Sequence, residues 1–175
     1  GLAYSIVLTD AVIAPAFPSN TARGGVLYPV VLAVAQGAGS RPEDPESRRL
    51  GAYLMFTAMA SLAVSSALWM TATSANPIGV QVVREFGLDI GFGKWLLTAS
   101  VPALTAIVLL PLVMAKLFSP GVRSTPDAPA AARTALAQMG TFSRDEKITA
   151  VAFVLMVAGW VFADTLKLSV ASIAF

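Results

Sequence analysis

The 175-residue chain contains no cysteine and no histidine. Their absence excludes disulfides, thiolate nucleophiles, zinc or haem ligation through these side chains, and imidazole acid–base chemistry. Charge is scarce. Only 13% of residues are charged, against roughly 25% in an ordinary soluble domain, while 56% are hydrophobic. The net charge of +2 is too small to point to nucleic acid, and no basic patch is interleaved with aromatics. The acids are scattered, so an enzyme built on clustered carboxylates is disfavoured and no metal site is expected. No initiating methionine is present, no basic residue precedes the apolar stretch Gly1–Phe17, and Ser169–Phe175 opens a new apolar run. Gly1–Phe17 is therefore no signal peptide, and both ends read as cuts in a longer chain. Internal repeats are also lacking.

What is present is a succession of apolar runs separated by short polar breaks. The composition predicts an all-α integral membrane protein with no enzymatic role. The most informative break is Pro18-Ser19-Asn20-Thr21-Ala22-Arg23-Gly24-Gly25. The run before it, Gly1–Phe17, carries Asp10 and Pro15, and the run after it, Val26–Ala38, is apolar for thirteen residues. A spanning helix needs ~20 apolar residues, so two shorter ones about a polar tip predict a re-entrant hairpin over 1–38. Irregular backbone at that depth must be buried in protein or line a wet cavity, and broken helices of this kind mark substrate sites in secondary transporters.

Residues 39–49 form a loop, since Arg41–Arg49 holds two prolines and six charges. Leu50–Thr73 is a span of twenty-four uncharged residues, rich in the Ala and Ser that allow close helix packing. Ser74-Ala75-Asn76-Pro77-Ile78-Gly79 is expected to break it, with Val80–Phe86 a short amphipathic helix and Gly87–Gly93 a turn. This broken helix and its turn complete the segment 50–93. The segment 94–118 follows as a span, Trp95–Phe118, with kinks at Pro102 and Pro111. An interfacial stretch over 119–147 holds a helix that begins near Asp127 and Pro129, runs over Ala130–Met139 and ends at Gly140. Ser143 and Glu146 form a capping-box pattern opening the last segment, 148–175, whose span is Ile148–Ala163.

With the hairpin entering from the cytoplasm, eight basic residues (Arg41, Arg48, Arg49, Lys116, Arg123, Arg133, Arg144, Lys147) fall inside. Three (Arg84, Lys94, Lys167) fall outside, as the positive-inside rule requires.

The cluster Pro18–Gly25 with Tyr28-Pro29 resembles the first Ser-Asn-Thr hairpin of the divalent anion/sodium symporter family, in particular its dicarboxylate and citrate translocators. Leu68–Pro77 resembles that family's broken fifth helix, and Ser143–Ile148 the opening of its next span; the likeness runs along essentially the whole chain in matching order. The resemblance implies a transporter half that moves di- or tricarboxylates such as 2-oxoglutarate, malate, succinate or citrate, by exchange or with sodium. It implies that Ser19, Asn20 and Thr21 contact a substrate carboxylate. It also implies a cation site from Ser19 and Asn20 with carbonyls of the loop Thr73–Gly79, including Thr73, Ser74 and Gly79, if transport is sodium-coupled. Sodium aside, no cofactor is expected. A homodimer in a bacterial inner membrane is implied as well. The family has a second Ser-Asn-Thr hairpin that this chain lacks, so the chain is either half of a longer carrier or a non-transporting remnant or subunit of a split one.

Two residues invite sharper readings. Where sodium-coupled relatives have small residues, this chain has Arg23; it either supplies the positive charge that sodium supplies elsewhere, contacting substrate, or pairs structurally with Asp10 or with a residue of the second half. Asn76 either faces Asn20 across the site or satisfies backbone freed by the break. Trp69, Met55, Met59 and Met70 are read as packing.

Overall fold

The computed structural model describes residues 1–122, 124–126, 128–166 and 173. Among these, all regular structure is helical. The helices are α1 (Leu2–Ile13), α2 (Asn20–Gly37), α3 (Arg48–Leu68), α4 (Ala75–Glu85), α5 (Phe92–Leu117), α6 (Ala128–Met139), α7 (Arg144–Val161) and α8 (Ala163–Leu166). Short 3₁₀ turns, Ala14–Ala16 and Met70–Ala72, follow α1 and α3.

α3 is the central element, packed against α1, α2 and α5. Ala3 and Ile6 of α1 share a buried cluster with Val31 and Ala35 of α2 and with Leu50, Leu54 and Ala58 of α3. Further along, Val7 and Ala11 of α1 meet Leu68 of α3 and Ala103 and Ile107 of α5. The start of α1 thus lies beside the end of α2, and the two run antiparallel. The Ala/Ser density of α3 is used as expected: Thr57, Ala58, Ser61, Ser65 and Ser66 are all buried, which lets three helices approach one.

Close approach is tightest at Gly51, where an added Cβ would lie 2.7 Å from Ser40 Oγ, the same hydroxyl oxygen that accepts the Gly51 N–H at 3.1 Å. Gly51→Ala is therefore expected to destabilise the full-length protein by about 1–3 kcal/mol of overpacking, seen as a lower thermal unfolding midpoint. Ser40→Ala in the same chain should restore part of that loss, because it removes the atom the methyl meets.

α3 and α5 are long and apolar enough to cross a membrane. α5 continues through Pro102 and Pro111 as one helix and keeps an apolar outer face, with Leu97 and Val101 about three-quarters exposed. Tyr4 and Tyr53 tie it to α1 and α3 by donating to the carbonyls of Val108 (2.8 Å) and Pro111 (3.0 Å). α7 begins with Arg144, Asp145, Glu146 and Lys147, and both halves of its capping box form. Gly140, at φ +78°, follows α6 and ends it as expected. Asp127 lies outside the described residues.

Three boundaries differ most from the sequence expectation. α2 begins at Asn20 rather than Val26, so most of the polar cluster is the first turn of an eighteen-residue helix that continues through Pro29. α3 stops at Leu68, before the expected Thr73, because Trp69 turns to extended backbone. α4 starts at Ala75, before the expected Val80, and Pro77 lies in its first turn, where a missing N–H costs no ladder bond.

Candidate functional site: two paired helix breaks

Both breaks have the same local form: a helix, a 3₁₀ turn, extended backbone, and a new helix. After Ala14–Ala16 the chain extends through Phe17 to Ser19, the N-cap of α2, whose Oγ accepts the Ala22 N–H at 3.3 Å. After Met70–Ala72, Thr73 is extended and Ser74 precedes α4.

Prolines explain why the two breaks join. Pro15 cannot donate to the Ala11 carbonyl four residues back. That carbonyl accepts from the Trp69 indole instead, at 2.8 Å. Pro18 likewise leaves Ala14 C=O without its α-helical donor; it takes Phe17 N–H at 3.1 Å and Arg23 Nη1 at 3.4 Å. Thr71 Oγ1 donates to Pro15 C=O (3.2 Å) and Ser74 N–H to Pro18 C=O (3.1 Å). The starts of α2 and α4 are thereby fastened side by side. Trp69 is more than packing, since its N–H fills a vacancy that a proline creates.

Beneath the α2 start lies a buried ion pair. Arg23 Nε is 2.8 Å from Asp10 Oδ1, and both side chains are 0% exposed. Ser65 Oγ bridges the pair, accepting from Arg23 Nη2 at 2.9 Å and lying 2.7 Å from Asp10 Oδ2, to which it can donate. Nη2 also reaches Leu62 C=O (2.8 Å), Ser66 Oγ (2.9 Å) and Asn20 Oδ1 (3.4 Å). Of the two readings offered for Arg23, its position matches the pairing one. Its guanidinium lies beneath the tip and is fully buried, with its charge matched by Asp10. The turn is centred near residues 16–17, so Asp10, three residues before the last of α1, mirrors Arg23, three residues after the first of α2.

Ser19 and Thr21 are exposed at the α2 start and Asn20 is half-buried. The N–H groups of Asn20 and Thr21 have no partner among the described residues. Asn20 Oδ1 accepts from Ser66 Oγ. Asn76 Nδ2 donates to the carbonyls of Ser66 (2.8 Å) and Trp69 (3.1 Å), which the end of α3 leaves available. Asn76 thus satisfies freed backbone, and Ser66 joins it to Asn20 through one side-chain and one backbone bond. Thr73 is half-buried and Ser74 exposed at the second break. Gly79 lies one turn inside α4 rather than in the loop. Among the described residues no cluster of acids could hold a metal ion.

Sequence reasoning did not single out Ser61, Ser65 and Ser66 as a functional layer, although Ser61 and Ser65 stand four apart in an uncharged helix and so share a face. The usable signal was the prolines: each frees a carbonyl at a known position, and a donor has to be found for it.

Residues 1–175 match the family described as the sodium:sulfate symporter transmembrane region. The chain belongs to this family. As a member of the sodium:sulfate symporter family it belongs to an integral membrane protein, and α3 and α5 have the length and apolar composition that spanning helices need. It is 34% identical over 99% of its length to a putative malate transporter of Bacillus subtilis, covering 37% of that protein. It is 38% identical over 95% of its length to chloroplastic dicarboxylate transporter 2.1 of Arabidopsis thaliana, covering 30%. An inner membrane protein of Escherichia coli is 34% identical over 99% of the chain, which covers 36% of it. The chain spans about a third of the length of the curated relatives it matches. Family membership agrees with the resemblance read from Pro18–Gly25 and Leu68–Pro77.

Proposed function

We propose that the protein to which this chain belongs is a secondary transporter of di- and tricarboxylates, and that the chain supplies one half of its substrate site. The observation that carries this reading is the fastening of two helix starts side by side by Ser74 N–H to Pro18 C=O. Among the described residues the α2 start holds the unpaired N–H groups of Asn20 and Thr21 and the α4 start that of Ala75, each at the positive end of a helix dipole, an arrangement suited to a carboxylate. Ser19 and Thr21 add hydroxyls, and Asn20 an amide. None of these groups is charged, so a dianion can be bound without being trapped. Names of the relatives, malate and dicarboxylate transporters, point to the same ligand class.

In this reading α1 and α2 form a hairpin that enters the bilayer from the cytoplasmic side and turns back, and α3 to α4 is a transmembrane helix interrupted at Trp69–Ser74. The second carboxylate meets groups outside residues 1–175. The carrier works as an exchanger by alternating access, as a homodimer in a bacterial inner membrane. A cation site, if transport is sodium-coupled, draws on Ser19, Thr73 and Ser74.

Uptake of labelled malate or 2-oxoglutarate into proteoliposomes holding the full-length protein tests the proposal. Uptake is expected only into vesicles preloaded with dicarboxylate, and should be indifferent to external sodium. Sodium-dependent uptake into empty vesicles would make the protein a symporter. No carboxylate uptake in any condition would overturn the transport reading and favour a remnant or an assembly subunit.

A further inference from the structure

The amide groups of Asn20 and Asn76 are held in opposite orientations by their neighbours. Asn76 faces two carbonyls, those of Ser66 and Trp69, which only its Nδ2 can satisfy. Its Oδ1 has no partner among the described residues. Asn20 faces Arg23 Nη2, which has hydrogens and no lone pair, and Ser66 Oγ, which itself accepts from the same Nη2. Arg23 Nη2 can only donate, so it turns Oδ1 inward, and Ser66 Oγ, whose one hydrogen also reaches Leu62 C=O, shares that hydrogen with the same oxygen; Asn20 Nδ2 has no partner among the described residues.

We infer that Arg23, held by Asp10, is a positioning residue that commits Asn20 to donating, so that this side chain serves the anion and is withdrawn from any cation site. The inference rests on the transport reading and deepens it. Arg23 contributes no net charge to the tip, because Asp10 neutralises it at 2.8 Å. What it contributes is direction: it occupies the one acceptor that Asn20 could have turned to a cation. Ser65 fixes the pair in turn by bonding both members. Asn76, with its oxygen outward, is left as the acceptor of the couple and suits a hydroxyl or a cation. A ligand carrying a carboxylate and a hydroxyl donor, as a 2-hydroxy dicarboxylate does, matches both.

The test is a thermal-shift titration of the purified full-length protein with malate, succinate and sulfate, each with and without sodium. It compares wild type, Asn20→Asp, and the double variant Asp10→Asn/Arg23→Met. Asn20→Asp keeps an acceptor for Arg23 and Ser66 but offers no donor outward. It should keep the ligand-free melting temperature near wild type while the malate concentration for half-maximal shift rises at least about tenfold, as for a lost hydrogen bond to a charged group. The double variant removes both buried charges together and releases Asn20. It should weaken malate binding by a similar factor and gain a sodium response that wild type lacks.

Unchanged malate response in Asn20→Asp, or a sodium response in wild type that Asn20→Asp strengthens, would overturn the inference, because Asn20 would then act through its oxygen. A double variant that folds and binds malate as wild type does would overturn the role of Arg23. The wild-type arm separates the two readings. A response to sulfate alone overturns the carboxylate reading and leaves the variants to be scored with sulfate. No response to any anion overturns both.

Discussion

Replacing Arg23 with alanine is expected to remove most of the folded protein. The substitution leaves Asp10 at 0% exposure with no cation, and breaking one side of a buried pair costs about 3–5 kcal/mol. Leu62 C=O and Ala14 C=O lose a donor at the same time. Whole-domain stability is about 5–15 kcal/mol, so the loss is a large share of it. Full-length Arg23→Ala should give little monodisperse protein on size exclusion in detergent, and what survives should melt far below wild type. Asp10→Asn/Arg23→Met should recover much of the yield, since replacing a buried pair by neutral groups of similar size is often near neutral. A single variant melting within a few degrees of wild type would show that the pair does not support the fold.

Asn76→Asp is expected to be the second most damaging change and to exceed Asn76→Ala. Alanine leaves the Ser66 and Trp69 carbonyls without the Asn76 donor, costing about 1–3 kcal/mol for each that stays unsatisfied. Aspartate has almost the same shape, yet it sets a carboxylate against two carbonyl oxygens at distances that had been hydrogen bonds. Melting temperatures of the two full-length variants, measured at pH 7, should fall in the order wild type, alanine, aspartate. If aspartate were the milder change, Asn76 would owe its place to volume and not to its N–H groups.

These two expectations depend on features that the sequence disclosed to different degrees. The capping box at Ser143 and Glu146 was legible because it is local: both bonds join residues three apart, and no other element takes part. The buried use of Ala and Ser in α3 was legible for a related reason, since an uncharged helix dense in small residues has few other uses. The break after α3 was harder to place. Pro77 looks like the breaking residue, but a proline fits the first turn of a helix, and the interruption begins eight residues earlier, where Trp69 reaches across to Ala11. That bond spans 58 positions, so no window along the chain contains it. The Asp10–Arg23 pair depended on the centre of a turn. Polar residues suggested a tip near Asn20, while the backbone turns near residues 16–17, inside a stretch whose prolines carry no polar side chain. Family likeness located the cluster that matters without saying which of its members face outward.

The bonds that fasten the two breaks also constrain motion. Trp69 to Ala11, Thr71 to Pro15 and Ser74 to Pro18 cross from one interrupted helix to the other at successive points. Sliding one past the other would break all three together and would strand the Ala11 carbonyl, which Pro15 has already deprived of its usual donor. If the protein transports as proposed, the two helix starts travel as one solid piece, and a change of access is made by shifting that piece whole against its surroundings.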